Sequence, residues 1–225
     1  MDDRIPHPTP GDPQPMPPAI ELALGAGFGC AGRWREAFFD LGKAGAGGRW
    51  LLLSWLPREG RLVNRRSDEV DHAPDGGMTL LALDIGTPDG RPDAGDAVDA
   101  LVRGLDWAGV DERYQQAVAR CSQGLGATAD EAAAARLIDV RRAAVFDASG
   151  LLAEGAVWRD PAQVDAWARQ LPADEPVVVY CVHGHAVSRA VALRLRAVGI
   201  EARFLVGGLE GWRAQGRPTA RPSGR

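Results

Sequence analysis

The sequence predicts two units of different class: a small α+β unit built on an antiparallel sheet, then an α/β unit with a central parallel sheet. Three observations carry this. An apolar helical face at residues 33–41 is followed by short apolar strands at 50–55 and 78–84 without an intervening helix. Beyond about residue 127 strands and helices alternate. Within that second half, residues 176–181 (PVVVYC) form one continuous apolar, β-branched run, the pattern of a parallel strand covered on both faces.

Trp34, Phe38 and Leu41 recur at i, i+4 and i+7 and mark a helix that ends among the glycines at 45–48. Residues 50–55 (WLLLSW) read as a buried strand, the chain turns back through Gly60, and 78–84 (MTLLALD) is a further strand. A helix over 111–121 places Tyr114, Val118 and Cys121 on one face. Thr128 and Glu131 form a capping box that opens a short alanine-rich helix. Residues 137–140 are a short strand. Asp160 caps a helix with Pro161 at its first position, with Trp167 and Leu171 on the apolar face. The run 176–181 is the next strand, 188–198 a helix closed by Gly199, and 202–206 the last strand.

The 225 residues suit two small domains. Seven of 16 prolines fall within residues 1–18, which read as a disordered tail. The domains are then 19–124 and 127–218, with 219–225 a second tail. The arginines spaced through 213–225 are either a basic contact tail or a frayed solvated end, and the frayed end is the simpler reading. A net charge of −4, with Lys43 as the single lysine, gives no basis for nucleic-acid binding. No apolar run approaches the roughly 18 residues of a membrane span, and the acidic N-terminus lacks a signal-peptide pattern, so a cytoplasmic protein is expected. Cys30, Cys121 and Cys181 cannot all pair and lack zinc-type spacing, which favours reduced thiols. Cys30 and Cys121 read most simply as core residues.

Cys181 ends the run 176–181 and is followed by VHGHAVSR and a helix. In an open α/β sheet ligands sit at the carboxyl ends of strands. A cysteine there, held by a loop that enters a helix N-terminus, meets backbone N–H groups and the positive end of the dipole. Those groups favour thiolate and make a nucleophile and an anion pocket together. Gly184 permits a tight loop, and Ser188 either caps the helix or donates to the sulfur. His183 and His185 are the other polar side chains at the loop. They meet a donor anion, shuttle a proton, or are plain loop residues. A metal site of Cys181, His183 and His185 lacks a fourth ligand.

Residues 130–218 resemble a rhodanese domain. LIDVRR at 137–142, EGAV at 154–157, VVVYCVHGH around Cys181 and LVGGLEGWRAQG at 205–216 match that family's motifs in order. The resemblance implies a sulfurtransferase. Cys181 would take a sulfane sulfur as a persulfide and pass it to a thiol or other thiophilic acceptor, with the N–H groups of Val182, His183, Gly184, His185, Ala186, Val187 and Ser188 binding the donor. Asp139 and Arg141 would be structural support. The loop departs from the family: Ala186 and Val187 stand where arginine and Ser or Thr are usual, and Ser188 comes one place later. That length resembles the phosphatase and arsenate-reductase branch, whose phosphate-binding arginine is also missing, so a phosphoester is a poor substrate. Similar His-Gly-His loops occur in rhodanese-like domains of chromate-resistance proteins, which keeps an oxyanion or oxidative-stress sensor as the alternative.

Residues 25–120 resemble the C-terminal domain of iron/manganese superoxide dismutases, through the segments 28–55, 60–72, 78–84 and 105–118. That family holds its metal with an Asp and a His after the last strand and two histidines from an N-terminal helical hairpin. Asp84 stands at the aspartate position, but 85–88 (IGTP) lacks the Trp, Glu and His, and His7 and His72 match no ligand position. One ligand does not hold a redox metal, so no metal or other cofactor is expected, and iron or manganese would bind only with ligands donated by another chain. Loss of the hairpin predicts exposed apolar surface, and with it either self-association, as a homodimer through this unit, or a partner.

Overall fold

The computed structural model describes residues 15–44, 48–70, 76–85, 104–172 and 174–222. The chain divides into two compact units, 1–57 with 61–117 and 118–225 with 58–60.

In the first unit, helices α1 (Pro18–Phe28) and α2 (Ala31–Lys43) precede strands β1 (Trp50–Leu56), β2 (Arg61–Ser67) and β3 (Met78–Asp84) and the helix α3 (Trp107–Cys121). The strands form an antiparallel sheet in the order β2-β1-β3, with Leu53 opposite Asn64 on one side and Leu81 on the other. As the central strand β1 is buried from Leu51 to Leu56, in keeping with its leucines and Trp55, and the one polar residue in that span, Ser54, accepts from Arg65 Nε at 3.2 Å. Helix α2 buries Trp34 and Phe38, as their spacing predicts. The Trp34 ring meets Phe38 at 5.2 Å and the edge of Trp107 at 5.4 Å, and its indole N–H donates to Asn64 Oδ1 at 2.9 Å.

Helix α1 is not legible in the sequence. Its glycines, Gly25 and Gly27, depress helix propensity. Pro18 nevertheless sits at a first-turn position where no N–H is needed, and Ile20 and Leu24 bury one face. The Ile20 N–H donates to the buried Asp111 carboxylate at 2.9 Å, satisfying one of the four donors at the helix start. The proline-rich tail predicted for 1–18 otherwise lies mainly outside the described residues. Among the described residues the exposed large hydrophobic side chains are Val157, Val198 and Val206, none of them in the first unit. Cys30 is corrected as well. It is exposed, and its sulfur caps α2 by accepting from the Arg33 N–H at 3.4 Å, so it is no core residue.

The second unit runs β4 (Gly126–Ala127), α4 (Ala129–Ala133), β5 (Arg136–Asp139), α5 (Ala143–Ser149), β6 (Leu152–Ala153), β7 (Val157–Trp158), a 3-10 turn at Pro161–Gln163, α6 (Val164–Ala168), β8 (Val177–Tyr180), α7 (Ala186–Ala197), β9 (Ala202–Leu205), α8 (Gly208–Ala214) and β10 (Thr219–Ala220). Five strands form a parallel sheet in the order β4-β9-β8-β5-β7. Alternation along β8 explains why the run at 176–181 carries no polar residue. Val177 and Val179 pack with Ile138, Val191, Leu195 and Phe204 on one face, while Val178 and Tyr180 pack with Leu137, Leu205, Leu209 and Trp212 on the other. The tail predicted from residue 219 instead begins with a strand: Thr219 and Ala220 pair with Ala153 and Leu152. The Pro218 carbonyl accepts from the Trp212 indole at 2.8 Å and from Glu154 N–H at 3.0 Å. Composition hid this, because the anchoring is by backbone groups.

The capping box forms as predicted. Thr128 Oγ1 accepts from the Glu131 N–H, and the Glu131 carboxylate accepts from the Thr128 N–H at 2.7 Å. That bond, then Arg203, holds the Glu131 carboxyl down at about 2. Because the folded value is depressed, Glu131 supports folding above the ordinary carboxylate range, and this support is lost as pH falls from there toward 2. Thr128→Ala should cost about 1 kcal/mol and return Glu131 toward ordinary titration, which NMR of the Glu131 side chain reads directly. No helix among the described residues is long and apolar enough to cross a membrane.

Candidate active site

Strand β8 delivers Cys181 to the carboxyl edge of the parallel sheet, where the chain loops through Val182–His185 into α7. Cys181 is 8% exposed, and its Sγ lies 3.3 Å from Ser188 Oγ. Helix α7 begins at Ala186, two residues earlier than the sequence predicts, so Ser188 is in its first turn and is not the cap. His185 occupies the cap position without a side-chain bond, which corrects the capping role for Ser188 and sets its hydroxyl between the sulfur at 3.3 Å and the His185 carbonyl, to which it donates at 3.4 Å.

The carbonyls of the loop are tied outward. Cys181 O accepts from the Leu209 N–H at 2.9 Å and Val182 O from the Glu210 N–H at 3.0 Å, both in the first turn of α8. Gly184 O accepts from Arg189 Nε at 3.0 Å. Because a trans peptide points its N–H opposite to its C=O, each tie turns the next N–H the other way. Among the described residues the backbone N–H groups from Val182 through Ser188 donate to no acceptor. The loop is therefore a cradle of open donors at a helix N-terminus, suited to an anion.

The site residues predicted from sequence take different places. Gly184, Ala186 and Ser188 are buried, Val182 and Val187 half-buried, and His183 and His185 exposed at the rim with ring centroids 5.7 Å apart. Gly184 has φ +72°, and a Cβ there would lie 2.5 Å from Leu205 O, so glycine is required. Asp139 and Arg141 form a buried ion pair: Arg141 Nε donates to Asp139 Oδ2 at 2.8 Å, and its other nitrogens reach Ser149 Oγ and the Leu151 carbonyl. The Tyr180 hydroxyl joins this network, accepting from the Ala153 N–H at 3.1 Å and bonding the Asp139 carboxylate. Burial, with that carboxylate beside it, pushes the Tyr180 phenol above its ordinary range and keeps it protonated. The pair is architectural, and Tyr180 extends it in a way the apolar context of 176–181 did not signal.

In the first unit Asp84 gives both carboxylate oxygens to the Arg49 guanidinium. Among the described residues no three His, Cys, Asp or Glu side chains converge as a metal would require, at Asp84 or at Cys181 with His183 and His185. Among the described residues the donor offered at Asp84 is a single carboxylate already paired with Arg49, a set that does not fit a redox metal. His7 and His72 lie outside the described residues.

Residues 125–215 match the model of the rhodanese-like domain family. The chain is 35% identical over 113 residues to an iron superoxide dismutase of Cupriavidus metallidurans, covering 48% of this chain and 57% of that protein. It is 34% identical over 107 residues to a manganese superoxide dismutase of Halobacterium salinarum, covering 45% of this chain and 52% of that one. It thus spans about half the length of the curated relatives it matches. Among solved structures, a rhodanese-related protein from Thermoplasma volcanium aligns with a TM-score of 0.37 at 20% identity, over 42% of this chain and 96% of that one. The chain therefore carries a rhodanese-like domain at residues 125–215, joined to an N-terminal half homologous to iron and manganese superoxide dismutases.

Proposed function

We propose that the second unit is a sulfurtransferase in which Cys181 carries a sulfane sulfur from donor to acceptor. The observation that supports this most is the cradle itself: a cysteine sulfur at the end of β8, one hydroxyl at 3.3 Å, and a run of open N–H donors that would hold both an anionic donor and the anionic persulfide. With thiosulfate as donor, the Cys181 thiolate attacks the outer sulfur and the donor S–S bond breaks. Its electron pair leaves with sulfite, and Cys181 holds the sulfur as a persulfide anion. An acceptor thiolate then attacks the terminal sulfur, and the bonding pair returns to Cys181. Neither half needs an external oxidant or reductant.

A phosphate-ester substrate is disfavoured by where the nearest guanidinium goes. Arg189, the first arginine after Cys181, turns away from the loop interior to Gly184 O, Ser122 Oγ and the Phe204 ring. Its guanidinium is therefore not presented as a fork for a dianion in the loop. For the first unit we propose a metal-free role, since Arg49 already neutralises Asp84.

Intact mass after incubation with thiosulfate or another sulfane donor should show one added sulfur atom, removed by thiol and absent in Cys181→Ser. An unchanged mass with every donor would overturn the reading and leave the cradle as an anion sensor. Elemental analysis of the purified chain should find no stoichiometric iron or manganese, and either metal lost on Asp84→Ala would overturn the metal-free role.

A further inference from the structure

Arg189 is held at three points. Its Nε donates to Gly184 O at 3.0 Å, its Nη1 to Ser122 Oγ at 3.4 Å, and its guanidinium lies 4.4 Å over the Phe204 ring of β9. Ser122 is itself buried and donates to Ala119 O at 3.3 Å, so the anchor is fixed. The peptide between Gly184 and His185 is trans, so the bond to Gly184 O aims the His185 N–H away from Arg189, and that N–H takes no acceptor among the described residues. A guanidinium on the carbonyl also draws electron density from the amide, which makes the N–H a stronger donor.

We propose that Arg189 is a positioning residue that supplies, from behind the cradle, the positive potential that this loop lacks from an arginine inside it. The charge acts through the Gly184–His185 peptide, while the loop interior stays open for the sulfur and its donor. The proposal rests on the reading of Cys181 as the reacting thiol. Charged side chains on the neighbouring elements are paired with one another. Glu210 on α8 pairs with Arg213 at 3.1 Å, Arg203 on β9 pairs with Glu131, and Asp139 is paired with Arg141 beside β8. His183 and His185 stand at the exposed rim.

The test compares alkylation of Cys181 by anionic iodoacetate and neutral iodoacetamide, read on the Cys181 peptide so that Cys30 and Cys121 do not contribute. In Arg189→Gln the iodoacetate-to-iodoacetamide rate ratio should fall about 3-fold or more, the scale of one partly screened charge removed from beside the loop. Arg189→Lys, which keeps the charge, should restore most of the ratio. A merely structural role would slow both reagents alike and leave the ratio unchanged, which overturns the proposal, as does a ratio in Arg189→Lys as low as in Arg189→Gln. If Arg189→Gln does not fold by circular dichroism, Arg189→Met, which keeps the stem against Phe204, carries the same comparison. The ratio needs no sulfane donor. A wild-type chain that never gains sulfur therefore refutes the sulfurtransferase reading while the ratio still reports on Arg189.

Discussion

Arg141→Ala should destabilise the second unit by about 3–5 kcal/mol, because it strands a buried carboxylate. Asp139 is 0% exposed and Arg141 2%, so neither charge can turn to water when the other is removed. The same side chain satisfies the Leu151 carbonyl at 2.6 Å and Ser149 Oγ at 2.5 Å, and those groups lose a partner too. Against a domain stability of roughly 5–15 kcal/mol, the loss takes much of the margin. Urea unfolding followed by the fluorescence of Trp158, Trp167 and Trp212 should show an early transition for this unit. Asp139→Asn combined with Arg141→Met should lose less than Arg141→Ala alone, since no charge is left buried while the amide oxygen at position 139 still accepts from the backbone N–H at position 141, the bond that Asp139 Oδ1 accepts at 2.9 Å. A double variant as unstable as the single would mean that the packing around the pair matters and its charge does not.

How much of this was legible in the sequence depended on whether the signal was local. The capping box at Thr128 and the two-faced strand at 176–181 are set by neighbours along the chain, and each formed where it was read, whereas Asp160 caps a 3-10 turn at Pro161–Gln163 and α6 ends at Ala168, short of Leu171. Cys181 and Gly184 were legible for the same reason: strand, loop and helix follow one another. What the sequence hid is held by partners far along the chain. Helix α1 needs Asp111, 91 positions away, to satisfy Ile20, and β10 needs β6. Ser188 read either as a cap or as a partner of the sulfur, and the helix start at Ala186, which no local signal marked, leaves the second: its hydroxyl lies 3.3 Å from Sγ. Arg189 gave one signal, its i+4 spacing from His185, which places it over the loop it braces. The spacing says nothing of Gly184 O or Phe204.

The paired glycines at 207 and 208 matched a family pattern before any reason for them was visible, and the structure supplies one that separates the two. Both have positive φ, +77° and +58°, so alanine at either is strained by about 1–2 kcal/mol. They differ in what a methyl group would strike. At Gly208 it would lie 2.5 Å from Cys181 O, 2.6 Å from Gly184 N and 2.6 Å from Val182 O, all backbone of the cradle. At Gly207 it would lie 3.0 Å from Gly211 Cα and touch no cradle atom. Gly208→Ala must therefore push the Cys181 loop off the first turn of α8, breaking the ties from Leu209 and Glu210 that turn its N–H groups inward. A displacement of about 1 Å in a reacting group commonly costs on the order of 100-fold in rate, and a loss of that size in sulfur uptake by Cys181 is the expected result. Gly207→Ala should lose comparable stability but keep most of the uptake rate. Time-resolved intact mass with a sulfane donor, beside thermal unfolding of each variant, separates the effects. Equal uptake in the two variants would mean that α8 braces the fold and not the cradle.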